Sequence, residues 1–167
     1  RFQWQRELRE RFDESFIIYD SPYLDTIRGS LPKDANVWEA HPKIITSLDF
    51  AKREEVLLEL ERTTWDVIVF DEAHHLKNKN TKVFNGATHL KSHIRWAVTG
   101  TPIQNNKNDF YNICAVIGID ITKSFKQTVN GIDDFKEIYL KRTKKEVGLD
   151  LTDVKCNTIN INWENNS

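Results

Sequence analysis

The stretch Val67-Ile68-Val69-Phe70-Asp71-Glu72-Ala73-His74-His75 decides how this chain is read. An apolar run of β-branched and aromatic residues, with no polar break, predicts a strand buried on both faces. Two carboxylates follow where that strand must end. In open parallel sheets the ligand crevice lies outside the carboxyl ends of the strands, so Asp71 and Glu72 are expected at the rim of a site. An acidic pair there suits nucleotide hydrolysis: one carboxylate can hold a Mg²⁺ ion, usually through its waters, and the next can orient or deprotonate an attacking water. The plainer alternative is a helix N-terminus, where Asp and Glu favour the dipole. The surrounding sequence decides between the two.

Towards the N-terminus, Trp65 leads into this strand, and a charged helix over residues 50–63 carries Val56, Leu57, Leu58 and Leu60. Lys43-Ile44-Ile45-Thr46-Ser47 predicts an earlier strand whose exit bears two hydroxyls, a residue type that commonly forms turns. Phe16-Ile17-Ile18-Tyr19, closed by Asp20-Ser21-Pro22, predicts another. Residues 20–40 read as a surface stretch around a short helix. In residues 1–12, Trp4, Leu8 and Phe12 stand at helical spacing and predict an amphipathic helix whose aromatic side chains enter the core.

Towards the C-terminus, Leu76-Lys77-Asn78-Lys79-Asn80 reads as a polar loop, followed by a helix over about 81–91 with Val83, Ala87 and Leu90 on one face. Ile94-Arg95-Trp96-Ala97-Val98 predicts a further strand that ends in Thr99-Gly100-Thr101-Pro102. Trp65 and Trp96 are expected as core wedges at the strand entrances. The next helix is capped near Asn108, turns Phe110, Ile113, Cys114 and Ile117 to the core, and stops at Gly118. Beyond it, Phe125, Ile132, Phe135, Ile138 and Tyr139 fall on helical segments. A basic run at residues 141–145 follows, and Ile159 with Ile161 suggests a last short strand.

Strand and helix thus alternate, which predicts an α/β parallel sheet with helices on both faces. Three strands end in polar clusters: Thr46-Ser47, Asp71-Glu72 and Thr99-Gly100-Thr101. In a parallel sheet all three emerge on one edge, where one crevice could hold them.

Composition narrows the classes. The 167 residues suffice for one globular domain, and a net charge of −1 announces no global attraction to nucleic acid. Any such contact must come from local patches. Cys114 and Cys156 form no CxxC spacing, which fits a reducing, intracellular setting. No apolar run is long enough to span a membrane, so no membrane partner is expected. The chain starts at Arg1 and contains no methionine, as expected of a piece of a longer protein. His89 and His93 lie four apart, and His74-His75 add two imidazoles, but no cysteine or carboxylate completes an obvious zinc set.

Taken together, these motifs resemble the Swi/Snf-type helicase-like ATPases of helicase superfamily two. Asp71-Glu72-Ala73-His74-His75-Leu76-Lys77-Asn78 is similar to that family's DEAH box with its trailing Leu-Lys-Asn. Trp96-Ala97-Val98-Thr99-Gly100-Thr101-Pro102-Ile103-Gln104-Asn105 resembles its motif three. Gln3-Trp4-Gln5-Arg6-Glu7-Leu8 resembles the segment after motif Ia, and Ile45-Thr46-Ser47 the Thr-rich motif Ib. Tyr139-Leu140-Lys141-Arg142-Thr143-Lys144-Lys145-Glu146-Val147 resembles the Leu-Arg-Arg-x-Lys-x-x-Val signature near the end of the first lobe. The approach to motif three, Arg95-Trp96-Ala97-Val98, looks closest to the branch linked to post-replication repair and transcription termination.

The resemblance implies a partial first RecA-like lobe over residues 1–167, belonging to an ATP-dependent motor that tracks along double-stranded DNA. On that model Asp71 holds Mg²⁺, and Glu72 positions and polarises the hydrolytic water. His74 relays the nucleotide state to Thr99, Gly100, Thr101 and Gln104. Thr46, Lys77, Asn78 and Asn105 become candidates for DNA-backbone contact, with Gln104 also in reach of that role, and Lys141 and Arg142 for contact with DNA or a second RecA-like lobe. Backbone contacts position a motor without demanding a base sequence. The compartment implied is the nucleus in a eukaryote, or the cytoplasm in a bacterium or for a virus.

Departures from the pattern carry their own expectations. The family's Walker A loop is missing: none of the six glycines precedes a Lys-Ser or Lys-Thr pair. Such a loop normally cradles the phosphates with its backbone N–H groups. Lys141 replaces the first Arg of the Leu-Arg-Arg signature, keeping the charge and losing the planar fork. The isolated chain is therefore expected not to hydrolyse ATP alone. Two other classes compete, a DEAH-type RNA helicase lobe and a non-catalytic nucleic-acid-binding lobe. RNA helicases usually carry Ser-Ala-Thr in motif three where this chain has Thr99-Gly100-Thr101. The intact order of Asp71, Glu72 and His74 argues against a decayed site.

Overall fold

A computed structural model describes residues 1–101 and 107–119, together with Leu140, Arg142 and Glu146. The chain divides into two compact units, Arg1–Lys126 and Gln127–Ser167. All the elements below belong to the first. The expected tail helices, the strand at Ile159 and Ile161, Gln104, Asn105 and Lys141 lie outside the described residues.

Helix α1 (Phe2–Phe12) leads into strand β1 (Ile17–Ile18), helix α2 (Ser21–Arg28) and a 3₁₀ turn at Val37–Glu39. Strand β2 (Ile44–Ile45) and helices α3 (Leu48–Ala51) and α4 (Glu54–Leu60) follow. Strand β3 (Thr64–Phe70) runs into a 3₁₀ turn at Ala73–Leu76; helix α5 (Lys82–His89), strand β4 (Lys91–Ala97) and helix α6 (Lys107–Val116) complete the order. Local chemistry sets many of these boundaries. Asp20, Ser47 and Thr81 cap α2, α3 and α5 by accepting from the backbone N–H groups of Tyr23, Phe50 and Phe84. Helix α1 stops where Asp13 turns left-handed at φ 55°. Past α6, Gly118 takes φ +83°, a conformation that suits glycine, and Ile119 N–H closes onto the Cys114 carbonyl at 2.9 Å.

The expected parallel α/β arrangement is present. β1 pairs with β2 in parallel, and β3 pairs with β4 in parallel through the register Val67↔Ile94, Val69↔Trp96 and Phe70↔Ala97. Among the described residues these are two hydrogen-bonded pairs, each with its own core. The first core gathers Tyr19, Leu24, Val37, Trp38, Phe50, Val56 and Leu60. The second gathers Phe70, Ala73, Leu76, Ala87, Ile113 and Val116.

Several local expectations are corrected here. The stretch 20–40 is not merely surface, because Val37 and Trp38 are buried in the first core. The helix expected over 50–63 is two, α3 and α4, with Arg53 extended at φ −65°, ψ 136° between them. Leu76, read as part of a polar loop, is fully buried. Helix α1 buries no residue, and Trp4 and Phe12 are exposed rather than packed in the core. His93 stands on β4 and not on a helix with His89, so the pair has no helical i, i+4 geometry.

The largest correction concerns β3. Ile68 and Phe70 pack on the second core, but Val67 and Val69 are 44% and 46% exposed. On β4, Ile94 and Trp96 are exposed beside them, Trp96 at 59%, so Trp96 is no core wedge. Side chains alternate across a strand, and helices α5 and α6 pack against the other face of this pair. Val67, Val69, Trp96 and Val98 instead border a cavity of about 750 Å³, which Ile44 and Ile45 of β2 and Trp4 and Leu8 of α1 also line.

Candidate active site

The acidic pair sits where the sequence placed it, at the end of β3. Phe70 is the last residue of the strand and Asp71 and Glu72 are exposed. Two backbone hydrogen bonds tie this tip to that of β4: Val98 N–H donates to the Phe70 carbonyl at 2.8 Å, and Ala73 N–H to the Val98 carbonyl at 3.0 Å. The third cluster meets them at the cavity, whose lining includes Thr46, Ser47, Asp71, Glu72 and His75.

Glu72 has a left-handed backbone, φ 50° and ψ 44°, and forms the hinge between β3 and the 73–76 turn. A non-glycine residue in that conformation costs about 1–2 kcal/mol, and such strain concentrates at functional sites. The turn it starts brings His74 back beside it. His74 Nδ1 lies 3.1 Å from Glu72 Oε2 and 3.5 Å from Thr99 Oγ1. Thr99 Oγ1 in turn accepts from Thr101 N–H at 3.2 Å. One imidazole thus bridges the acid after β3 and the hydroxyl after β4. His75 stacks against His74 at 4.2 Å between ring centroids.

Asp71 is held from another element. Trp4 Nε1 on α1 donates to Asp71 Oδ2 at 2.6 Å. Spacing along the chain gave no signal for this, since the partners lie 67 residues apart and Trp4 read as a core aromatic. Asn112 was likewise not singled out. Its Nδ2 donates to the Lys77 carbonyl at 2.6 Å and fastens α6 to the segment after the acidic pair.

The remaining candidates are placed as follows. Thr46 Oγ1 donates to the Tyr19 carbonyl at 2.9 Å, which joins the exit of β2 to β1. Ser47 is the cap of α3. Asn78 is exposed, and its Oδ1 accepts from Asn80 N–H at 3.0 Å. Lys77 is half-buried, Gly100 is exposed with open space around it, and Arg142 is exposed in the second unit.

As a metal site this donor set fits one kind of ion. Among the described residues no group of three or more His, Cys, Asp or Glu side chains gathers into a cage, which disfavours zinc. Two adjacent exposed carboxylates with free volume beside them suit Mg²⁺, which keeps waters and takes one or two carboxylates together with phosphate oxygens. Asp71 would hold such an ion and Glu72 would face its waters.

Parallel strands with an acid pair at one tip and a histidine between it and the next tip define an α/β domain with a candidate site at the strand ends. Comparison with known proteins narrows the class. The SNF2-related domain matches residues 2–166, and the chain belongs to that family. It is 32% identical over 148 residues to the ATP-dependent DNA helicase DDM1 of Arabidopsis thaliana, covering 86% of this chain and 19% of that protein. It is 29% identical over 164 residues to the RNA polymerase-associated protein RapA of Yersinia enterocolitica, covering 94% of this chain and 16% of that one. The Sulfolobus solfataricus SWI2/SNF2 ATPase core in complex with dsDNA superposes with a TM-score of 0.60 at 26% identity, over 86% of this chain and 31% of that chain. The chain therefore spans less than a fifth of these curated relatives. No helix among the described residues is long and apolar enough to cross a membrane.

Proposed function

We propose that this chain forms part of the first RecA-like lobe of an ATP-dependent motor that moves along double-stranded DNA. The observation that supports this best is the bridge Glu72–His74–Thr99 across two parallel strand tips. It puts the residue suited to orienting water in contact with the segment suited to moving.

In this reading Asp71 holds the magnesium–nucleotide pair, and Glu72 accepts a hydrogen bond from the hydrolytic water and draws it in line with the γ-phosphate. A bound Mg²⁺ would supply neutralisation of phosphate charge. His74 senses whether Glu72 is engaged and passes the change to Thr99 and, through the Thr99 hydroxyl, to the backbone of Thr101 and on to Gln104. Thr46, Lys77, Asn78 and Asn105 approach the DNA backbone, and Lys141 and Arg142 meet DNA or the second lobe. No Gly-Lys-Ser or Gly-Lys-Thr loop stands among the 167 residues, and in this reading hydrolysis also needs such a loop and a second lobe, so the 167-residue chain alone is expected not to turn over ATP. Such a motor works wherever its host keeps duplex DNA, inside the cell.

The test is ATPase activity of the full-length protein with duplex DNA, single strands and RNA compared. Duplex DNA is expected to stimulate most, and Glu72→Gln to abolish turnover while nucleotide still binds. Stimulation by RNA alone would favour the RNA helicase reading. Undiminished turnover in Glu72→Gln would remove Glu72 from the mechanism.

A further inference from the structure

The segment Gln3-Trp4-Gln5-Arg6-Glu7-Leu8 has a place in the family likeness but no chemistry so far. The structure gives it one. Helix α1 buries no side chain, so the core does not explain where Trp4 sits. Trp4 is 39% exposed, yet its indole reaches the strand tip and donates to Asp71 Oδ2 at 2.6 Å. At the foot of the same helix, Gln5 Nε2 donates to the Phe16 carbonyl at 2.7 Å and fixes α1 beside the start of β1.

We infer that Trp4 is a positioning residue for Asp71, selecting one carboxylate rotamer and leaving Oδ1 for the ion. An indole carries one N–H donor and no acceptor, so the bond runs only one way and requires an acceptor oxygen on Asp71. N–H bonds to carboxylates run short, and this one, at 2.6 Å, is short. An exposed Asp at a strand tip otherwise samples several rotamers, and ordering it falls on the binding step. Trp4 orders it beforehand, from an element separate from the strand pair that carries the acid. The inference rests on the reading of Asp71 as the magnesium carboxylate.

Its test separates the two. In the full-length protein with ¹⁵N-labelled tryptophan the indole cross-peak of Trp4 is identified by its loss in Trp4→Phe, which keeps an aromatic ring and removes the N–H. Asp71→Ala is expected to move that cross-peak upfield and leave the other indoles in place, while Glu72→Gln does not move it. Mn²⁺ is then added with a non-hydrolysable ATP analogue as a paramagnetic probe, and Mg²⁺ is titrated against it with water-proton relaxation as readout. The Trp4 cross-peak is expected to broaden with Mn²⁺ and recover with Mg²⁺. The Mg²⁺ midpoint is expected to rise about threefold to tenfold in Trp4→Phe, the effect of ordering one side chain anew on binding.

A Trp4 cross-peak indifferent to Asp71→Ala overturns the inference, because the bond is then absent in solution. A midpoint unchanged or lowered in Trp4→Phe overturns it too, the latter meaning that indole and ion compete. A cross-peak that follows Asp71→Ala but ignores Mn²⁺ leaves the contact standing and overturns the ion's place at Asp71, and with it the positioning role.

Discussion

Arg95 Nη1 donates to the carbonyl of Val116 at 2.8 Å, joining the middle of β4 to the last residue of α6. The same guanidinium donates to the carbonyls of Leu90 and Ala87 and to Ser92 Oγ. Helix C-termini leave carbonyls without intrahelical partners, and here one planar cation serves the ends of α5 and α6 together. Burial lowers the guanidinium from its ordinary pKa, the mark of a charge kept from water. Arg95→Met is expected to cost about 2–3 kcal/mol, because it leaves these carbonyls unpaired. Arg95→Lys should recover less than half, since an ammonium cannot fork to several carbonyls. Urea midpoints of the three proteins check both statements.

At Glu72 stability and activity are expected to part. The left-handed backbone at φ 50° suits glycine, so Glu72→Gly should be more stable than Glu72→Ala by about 1 kcal/mol. Both substitutions lose the contact with His74, so that loss cancels in the comparison. Equal urea midpoints for the two would show that the surrounding turn relaxes and stores no strain.

Tyr19 gives the fold an alkaline limit. Its ring is buried, and its hydroxyl contacts His41 Nδ1 at 2.8 Å and donates to the Val37 carbonyl at 3.1 Å. Desolvation, helped by neighbouring Tyr23, pushes its phenol from 10.0 up to about 12. The folded state therefore keeps this proton when the unfolded chain has lost it. That contribution is intact below pH 10 and falls away as pH rises towards 12, by up to about 2–3 kcal/mol. Tyr19→Phe should flatten the stability profile across this window, read as urea midpoints at successive pH values.

Gly86 tests how the cavity is filled. A Cβ added there would meet Leu57 Cδ2 at 3.0 Å and Cδ1 at 3.1 Å, tight contacts with the end of a flexible side chain. Leu57 and Gly86 both line the large cavity, so Leu57 has room to give way. Alanine in the interior of α5 gains about 0.8–1 kcal/mol in helix propensity, and a net stabilisation of about 0.5 kcal/mol is expected for Gly86→Ala. Gly86→Val, with two more methyl groups against Leu57, should destabilise. Thermal melts of both variants read the signs.

Local periodicity and chain punctuation were enough, in the sequence, for the strand ending at Phe70, the acids that follow it, the alternation of elements that makes the strands parallel, and the stop of α6 at Gly118. Each of these depends on residues within a turn or two of one another, where backbone preference and side-chain spacing act directly. Three results waited for tertiary structure: the open face of Val67, Val69, Ile94 and Trp96, the reach of Trp4 to Asp71, and the grip of Arg95 on two helix ends. An apolar run reads the same whether one or both of its faces are covered, because periodicity records what a side chain is and not what lies over it. Trp4 likewise read as an aromatic for the core, since its N–H acquires a role only when packing sets it against a carboxylate from a distant part of the chain.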